Sequence, residues 1–474
     1  MNIHKVFHCL AGYASVILCL GALVCGSVQA QAQEEIGELQ AQVEVLMKRI
    51  ADLEAAQAAT SKPVAQATHT DSLMHKIEIL QARLSKIETS QAGEKIAETN
   101  PDPTGNLMDG MVTAGDAPRS FRIPGTAISL RFGGYAKFDA LYDHGVMLAG
   151  VRYFPDLIAV DGTPPARNDG VTQLSAAQTR FSLKAQAPTP IGKLSAFIEM
   201  DFFGPGNVTR LRHGIGQAGS VLAGHTWSTF MDLYSLPRTV AITAPSGAIF
   251  TRHALIRWYA SKSGPIHVTF ALEGPKKDLT PTATDDRTLQ RWPDFIATFR
   301  HARGAKGHIQ LGGILRRIGV EHVSGMTQET NGWGAMLSGR VTAFGRNSIG
   351  VGGFVGDGIG SYIAGLATSP SAAAPDANGD LTALRVVGGY ANYMHWWNPT
   401  FRSTFAYGVV EVDNTNAQGG GAVKNTQNFI SNLVWIPMRG FAVGLEYIYG
   451  KRKNKDGTQG TDPRVQFSIQ FGFS

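Results

Sequence analysis

Eleven basic side chains fall on the polar faces of alternating segments along this chain: Arg131, Lys137, Arg180, Lys184, Arg210, Arg212, Arg257, Arg300, Arg316, Arg385 and Arg402. Arginine presents a planar fork of donors that grips a carboxylate or phosphate through two parallel hydrogen bonds, and it keeps its charge at any physiological pH. Fewer acids share those faces: Asp139, Glu199, Asp201, Glu273 and Glu446. A wall carrying an excess of fixed cations lowers the barrier for anions, so the chemistry indicated is guidance of negatively charged solutes rather than bond-making. For any single residue the plainer use is pairing with those acids to keep a wall hydrated.

Motifs for catalysis are absent. There is no His-Glu-x-x-His, no Gly-x-Ser-x-Gly and no phosphate-binding Walker loop, so the chain reads as a non-enzyme without a cofactor or metal. Asp376, Asn378 and Asp380 have the spacing of the first ligands of a calcium loop. Leu381 and Val387, however, stand where that loop needs glycine and glutamate, which leaves ordinary turn chemistry. All three cysteines, Cys9, Cys19 and Cys25, lie in the first 30 residues, so thiol chemistry is not expected of the mature chain.

The elements that must position the cations are strands. Ile128, Leu130, Phe132, Gly134, Ala136, Phe138, Ala140 and Tyr142 alternate with Ser129, Arg131, Tyr135, Lys137 and Asp139. This period-2 run is longer than an ordinary globular strand. One of its faces suits lipid and the other water, as a transmembrane β-barrel requires. Residues 177–187 and 194–202 repeat the pattern, and Val465, Phe467, Ile469, Phe471 and Phe473 close it. Counting all such segments predicts about sixteen antiparallel strands over residues 125–474, an even number. Short turns such as 189–192, 344–347 and 437–440 alternate with long connections at 144–173, 228–249, 274–293, 357–381, 410–425 and 451–463. Trp292, Trp396, Trp397 and Tyr449, near segment ends, suit an interfacial girdle. The segment after Gly224-His225-Thr226-Trp227-Ser228 would be the long loop that folds inward in general porins. That makes Asp232, Tyr234, Arg238 and His253 candidates for a constriction.

Residues 1–30 read as an export signal, with Lys5, an apolar stretch from Val16 to Val24 and small residues up to Ala30 and Ala32. Residues 31–91 carry heptads, first at Ile36, Leu39, Val43, Leu46, Ile50 and Leu53, then at Leu73, Ile77, Leu80, Leu84 and Ile87. An α-helical coiled coil that self-associates is expected there. Residues 92–124, broken by Pro101, Pro103, Gly105, Gly110, Gly115, Pro118 and Pro124, read as a linker. The formal net charge of +6 hides a split, roughly −6 over residues 31–119 and roughly +11 beyond. Export and the lack of a compact basic helix argue against nucleic acid as the partner of the basic half.

Gly133-Gly134-Tyr135-Ala136-Lys137-Phe138-Asp139-Ala140 resembles the first strand of the DcaP-like outer-membrane porins. Gly224 to Asp232, Trp396-Trp397-Asn398-Pro399 with Arg402-Ser403-Thr404, and Gly444 to Gly450 resemble further blocks of that family. The resemblance implies a trimeric, sixteen-stranded porin of the Gram-negative outer membrane with a periplasmic coiled coil. It also implies passage of small anions such as dicarboxylates, and its basic pore maps onto Arg131, Arg180, Arg210, Arg212 and Arg257. The expectation is therefore an anion-preferring channel. A phosphate or polyphosphate porin, a barrel enzyme, and a structural or adhesin protein are the alternatives. Phe473 stands where the assembly machinery reads a terminal aromatic, although Ser474 follows it.

Overall fold

The computed structural model describes residues 113–473, apart from 117, 168–169, 191, 275–278 and 280–286. The expected export signal and heptad segments lie outside the described residues, as does most of the expected linker. The linker's end is more ordered than its prolines and glycines suggest. Thr113–Ala114 pairs with Phe121–Arg122, which pairs in turn with Leu130 and Ser129.

Sixteen strands make the wall among the described residues, and no α-helix occurs there. They are β1 (Ser129–Asp143), β2 (Arg180–Thr189), β3 (Gly192–Asp201), β4 (Arg210–Ala218), β5 (Val221–Trp227), β6 (Arg252–Ser261), β7 (Ile266–Glu273) and β8 (Asp294–Ala302). The second half comprises β9 (Gly307–Glu321), β10 (Thr327–Thr342), β11 (Ser348–Asp357), β12 (Arg385–Trp396), β13 (Phe401–Val412), β14 (Val423–Met438), β15 (Phe441–Asn454) and β16 (Gln459–Gly472). Each runs antiparallel to the next. β16 returns to β1, from Arg464 opposite Asp143 to Gly472 opposite Tyr135, so the sheet closes and leaves no edge.

Period-2 alternation sets the faces. On β1, Phe132, Phe138 and Tyr142 are exposed outward, while Lys137, Asp139 and Asp143 are buried inward. On β16, Val465, Phe467, Phe471 and Phe473 continue the outward row. Several strands run further than the hydrophobic alternation predicts. β9 reaches Glu321, β10 starts at Thr327, β15 reaches Asn454 and β16 starts at Gln459. The added ends of β10, β15 and β16 are polar on both faces, which hydropathy does not register, whereas β9 gains Ile318 and Val320, which pack on Ala372 and Ala373 of the 358–384 connection. The connections expected at 410–425 and 451–463 accordingly shrink to 413–422 and 455–458.

The long connections L1 (144–170), L3 (228–251) and L6 (358–384) turn back into the barrel, while Val171–Ser175 stays in the wall, paired with β1 from Asp143 to Asp139. Phe230, Met231 and Ile249 of L3 pack with Ile359, Tyr362, Ile363 and Leu366 of L6. They meet inward-facing Ile296, Ile314, Met336, Phe354, Val386 and Val410. A full side-chain burial of this kind contributes about 1.5–3 kcal/mol. Backbone bonds tie L3 to L6: Gly247 donates to Ala364, Ala364 to Ala248 and Phe250 to Tyr362, at 2.8–2.9 Å. Tyr153 and Ile158 of L1 pack on Ile430, Ile448 and Ala241. Part of the lumen is therefore an apolar core rather than a hydrated wall. The Asp376 turn belongs to L6, where the Asp376 carboxylate accepts the N–H groups of Asn378 and Asp380, as an Asx turn does.

Candidate functional site

The polar space left by these loops lies between L3 and the wall made by β1–β4 and β13–β16. It is a cavity of about 710 Å³ whose charged lining includes Lys137, Arg180, Arg212, Arg238, Arg402 and Glu199. Glu199 is the one carboxylate among the described lining residues. A second cavity of about 330 Å³ adjoins it through Tyr135, Arg180 and Glu199, and adds Arg131 and Lys184. Arg131 sits directly opposite Lys184 across the β1–β2 pair. The cations thus form a ladder up one wall, Arg131 and Lys184 lowest, then Arg212, then Arg180 and Arg210 level with Asp201.

The acids divide this ladder into paired and unpaired cations. Asp201, fully buried, accepts from Arg210 at 2.7 Å and from Arg212 at 2.8 Å. Glu199 accepts from Arg212 at 2.7 Å and lies 3.7 Å from Arg180. A bulge between Glu199 and Met200 makes this possible, because it places Arg212 as the extra residue opposite the β3 carboxylates. Arg180 also lies over the Tyr135 ring at 5.4 Å. Three arginines therefore share two carboxylates. Arg402 donates instead to the Arg238 carbonyl at 3.1 Å and to Thr404 at 3.2 Å. No described carboxylate lies within ion-pair distance of Arg131, Lys184, Arg238 or Arg402.

Arg238 reaches the cavity because the backbone around it is held down. Glu446 accepts from the N–H of Val240 at 2.7 Å, from Ala241 at 2.8 Å and from Asn432 at 2.8 Å. Lys137 donates to the Val240 carbonyl at 2.6 Å and to Gln178 at 2.7 Å, and it lies 3.0 Å from Asp139. The Val240 peptide is gripped on both sides. Asn432 and Arg402 hold the Arg238 carbonyl, and Asn392 holds that of Ser235. At the start of L3, Glu273 accepts the Thr229 N–H at 2.6 Å. Two of the five inward acids thus anchor loop backbone instead of neutralising arginines.

Several expected site residues have other partners. Lys137 borders the cavity but is buried, its ammonium taken up by the Val240 carbonyl of L3, by Gln178 and by Asp139, so it positions the loop. Arg257 is fixed to the Trp227 carbonyl at 2.6 Å and to Thr229 at 2.8 Å. Arg300 binds Asp232 at 2.7 Å and lies 4.8 Å from the Tyr234 ring. Arg316 is buried, donating to the Gly358 carbonyl at 2.6 Å and lying 3.4 Å from Asp294. Arg385 does not point inward. It shares an outward row with Asp357 and Trp333, 3.6 Å from the Asp357 carboxylate. Its neighbour Val387 is half exposed to the outside and Val386 is buried inside, so the parity of β12 is the opposite of the one expected.

The constriction candidates separate likewise. Arg238 lines the cavity. Tyr234 is exposed, with His308 beside it at 6.1 Å. Asp232 is buried and accepts from Arg300, His308 and Ser338 at 2.6–2.8 Å. Burial alone would raise its carboxyl, but the His308 hydrogen bond and the Arg300 charge hold it below the usual carboxylate range. His253 is buried, stacked on Tyr362 at 4.7 Å, and lies outside the cavity. Phe473 donates its N–H to Gly134 at 3.2 Å, and its ring is 5.8 Å from Phe181 on the outer face. Inward cations beyond the expected set include Arg452, which donates to the Asp156 carbonyl of L1 at 2.8 Å, and Arg252, 3.9 Å over the Trp227 ring, as well as Arg464 and Arg340. Arg464, fully buried, pairs with Asp143 and holds the carbonyls of Gly150 and Val151 at 2.7 Å, docking L1. Arg340 follows Met336 and Ser338 on the inward row of β10, where no other charge signals the face.

A family model described as DcaP outer membrane protein matches residues 111–473. Among solved structures, the outer membrane channel DcaP of Acinetobacter baumannii aligns with a TM-score of 0.65 at 19% identity, over 76% of this chain and 100% of that one. The anion-selective porin from Comamonas acidovorans aligns with a TM-score of 0.51 at 12% identity, over 73% of this chain and 100% of that one. At such identities these two are likenesses of fold. No curated protein matches the chain.

Proposed function

The chain belongs to the DcaP outer membrane protein family, and on that premise we propose that it is a passive channel preferring small anions, dicarboxylates foremost. The observation that carries this reading is the lining of the larger cavity. Arg238 and Arg402 bring charge without a carboxylate partner, and the one lining acid, Glu199, is shared by Arg180 and Arg212. Cations on two walls, Arg238 with Arg402 and Arg180 with Arg131, suit a solute that carries negative charge at both ends. The anion selectivity named for the Comamonas porin agrees with this reading. Reversal potentials across planar bilayers in a salt gradient test it, and cation preference or no selectivity would refute it. Phosphate suits the same guanidinium forks, so swelling of liposomes in phosphate, monocarboxylate and dicarboxylate ranks the solutes.

The coiled coil and the trimer belong to the same proposal, with residues 31–91 reinforcing oligomerisation from the periplasm and not forming the pore. A chain beginning near Gly110 is expected to insert and conduct; loss of all conductance in that folded chain would refute the separation. Phe473 is proposed as the aromatic read by the assembly machinery. Phe473→Asp is expected to lower the amount of barrel reaching the outer membrane, since it puts a charge at the end of a lipid-facing row. Normal levels of the variant in isolated outer membranes would remove that role.

A further inference from the structure

We propose that the outward face of β14 and β15, at its extracellular end, binds the phosphate groups of the outer leaflet's glycolipid. The outward row of β15 runs Val443, Leu445, Tyr447, Tyr449 and then Lys451 and Lys453. The neighbouring rows change character at the same height. Tyr449 lies opposite Phe429 and Pro463, Lys451 opposite Gln427 and Thr461, and Lys453 opposite Asn425 and Gln459. An apolar band that ends in tyrosines and is followed by lysines marks the hydrocarbon boundary and, above it, the headgroup layer. Lys424 adds a third cation, exposed at a bulge between Val423 and Asn425.

These three lysines differ from the other outward cations at this rim. Arg317 pairs with Glu329 at 2.7 Å and Arg385 lies 3.6 Å from Asp357, so their charge is spent within the protein. Lys455 is capped by the carbonyls of Thr415, Asn416 and Gln418. No described carboxylate lies within ion-pair distance of Lys424, Lys451 or Lys453. The nearest acid in their row is Glu411, which stands opposite Asn425 with that strand between it and Lys453. An uncompensated cation cluster directly above a tyrosine border complements a phosphate held at the membrane surface. A solute phosphate in transit would instead meet the lumen cations.

The test uses the full-length protein in detergent, titrated with a diphosphorylated lipid A, its dephosphorylated form and inorganic phosphate, with bound lipid read by native mass spectrometry. Each lysine near an anionic surface contributes roughly fivefold in affinity. Lys424→Gln with Lys451→Gln and Lys453→Gln is therefore expected to weaken diphosphorylated lipid binding by about a hundredfold at low salt, and less as salt rises. Dephosphorylated lipid should bind wild type as weakly as it binds the variant. Arg317→Gln with Arg385→Gln should leave binding unchanged. An unchanged single-channel conductance certifies the fold of the triple variant, and the three single variants, each expected to lose about fivefold, serve if it fails to fold. Equal lipid binding by variant and wild type, or equal binding of the dephosphorylated lipid, overturns the proposal. Displacement of the lipid by equimolar inorganic phosphate would also overturn it, because the patch would then be a site for the free ion.

Discussion

Arg238→Gln combined with Arg402→Gln is expected to remove most of the proposed anion preference while leaving the barrel folded. Arg238 is exposed to the cavity on L3, and Arg402 lies beside its carbonyl. Neither neutralises a described acid, so their loss leaves no buried carboxylate unpaired. Two unit charges 4 Å apart interact by about 4 kcal/mol at an effective dielectric near 20. Distance and screening by about 0.15 M salt reduce this to about 1 kcal/mol per charge, or roughly fivefold in the anion-to-cation permeability ratio. Reversal potentials in a salt gradient measure that ratio. An unchanged ratio with normal barrel yield would move the filter elsewhere.

The pair Arg180→Gln and Arg212→Gln, two of the five arginines onto which the resemblance maps the basic pore, is a poorer probe. Arg212 is almost fully buried between Glu199 and Asp201. Removing a partner from a buried charge pair costs about 3–5 kcal/mol, so a selectivity change there would be mixed with rearrangement of the wall.

Alternation located all sixteen strands because lipid on one side and water on the other impose it residue by residue. L3 was recognisable as the long connection after the fifth strand, by its place in the chain and by analogy with general porins. Pairing inside the lumen was not legible, because it depends on side chains brought together from distant strands. The Glu199 bulge that presents Arg212 to two acids has no local sequence mark. β12 was read with its parity reversed, because Val386 and Val387 are both apolar and Arg385 alone suggested which face was wet. Val386 faces an apolar core built by L3 and L6, and nothing near it in the chain announces that core. That Lys137 and Asp139 share one face was legible from their spacing; that Lys137 donates to the Val240 carbonyl of L3 was not.

The largest structural effect is expected from Glu446→Ala. Its carboxylate, buried beneath L3, is the acceptor for the N–H groups of Val240 and Ala241 and for Asn432. Each buried donor left without an acceptor costs roughly 1–3 kcal/mol. The Val240 peptide would then be held from one side only, by Lys137. The grip on Ser235 by Asn392 and the L3–L6 backbone bonds lie on either side of this stretch and survive the substitution. Between those ends only Lys137 and the bonds of Asn432 and Arg402 to the Arg238 carbonyl remain, so the segment carrying Arg238 is expected to loosen from the wall while both ends of L3 stay docked. The cavity would widen and its best-exposed cation would lose its fixed position. Single-channel conductance should rise and anion preference should fall together. Glu446→Gln should produce a smaller change in the same direction, because its oxygen can still accept one bond while its amide opposes the second donor. A second-site Lys137→Met on Glu446→Ala should release the segment further. Conductance and selectivity that remain at wild-type values in Glu446→Ala, in a barrel of normal heat resistance, would show that the other tethers suffice and that Glu446 does not set the aperture.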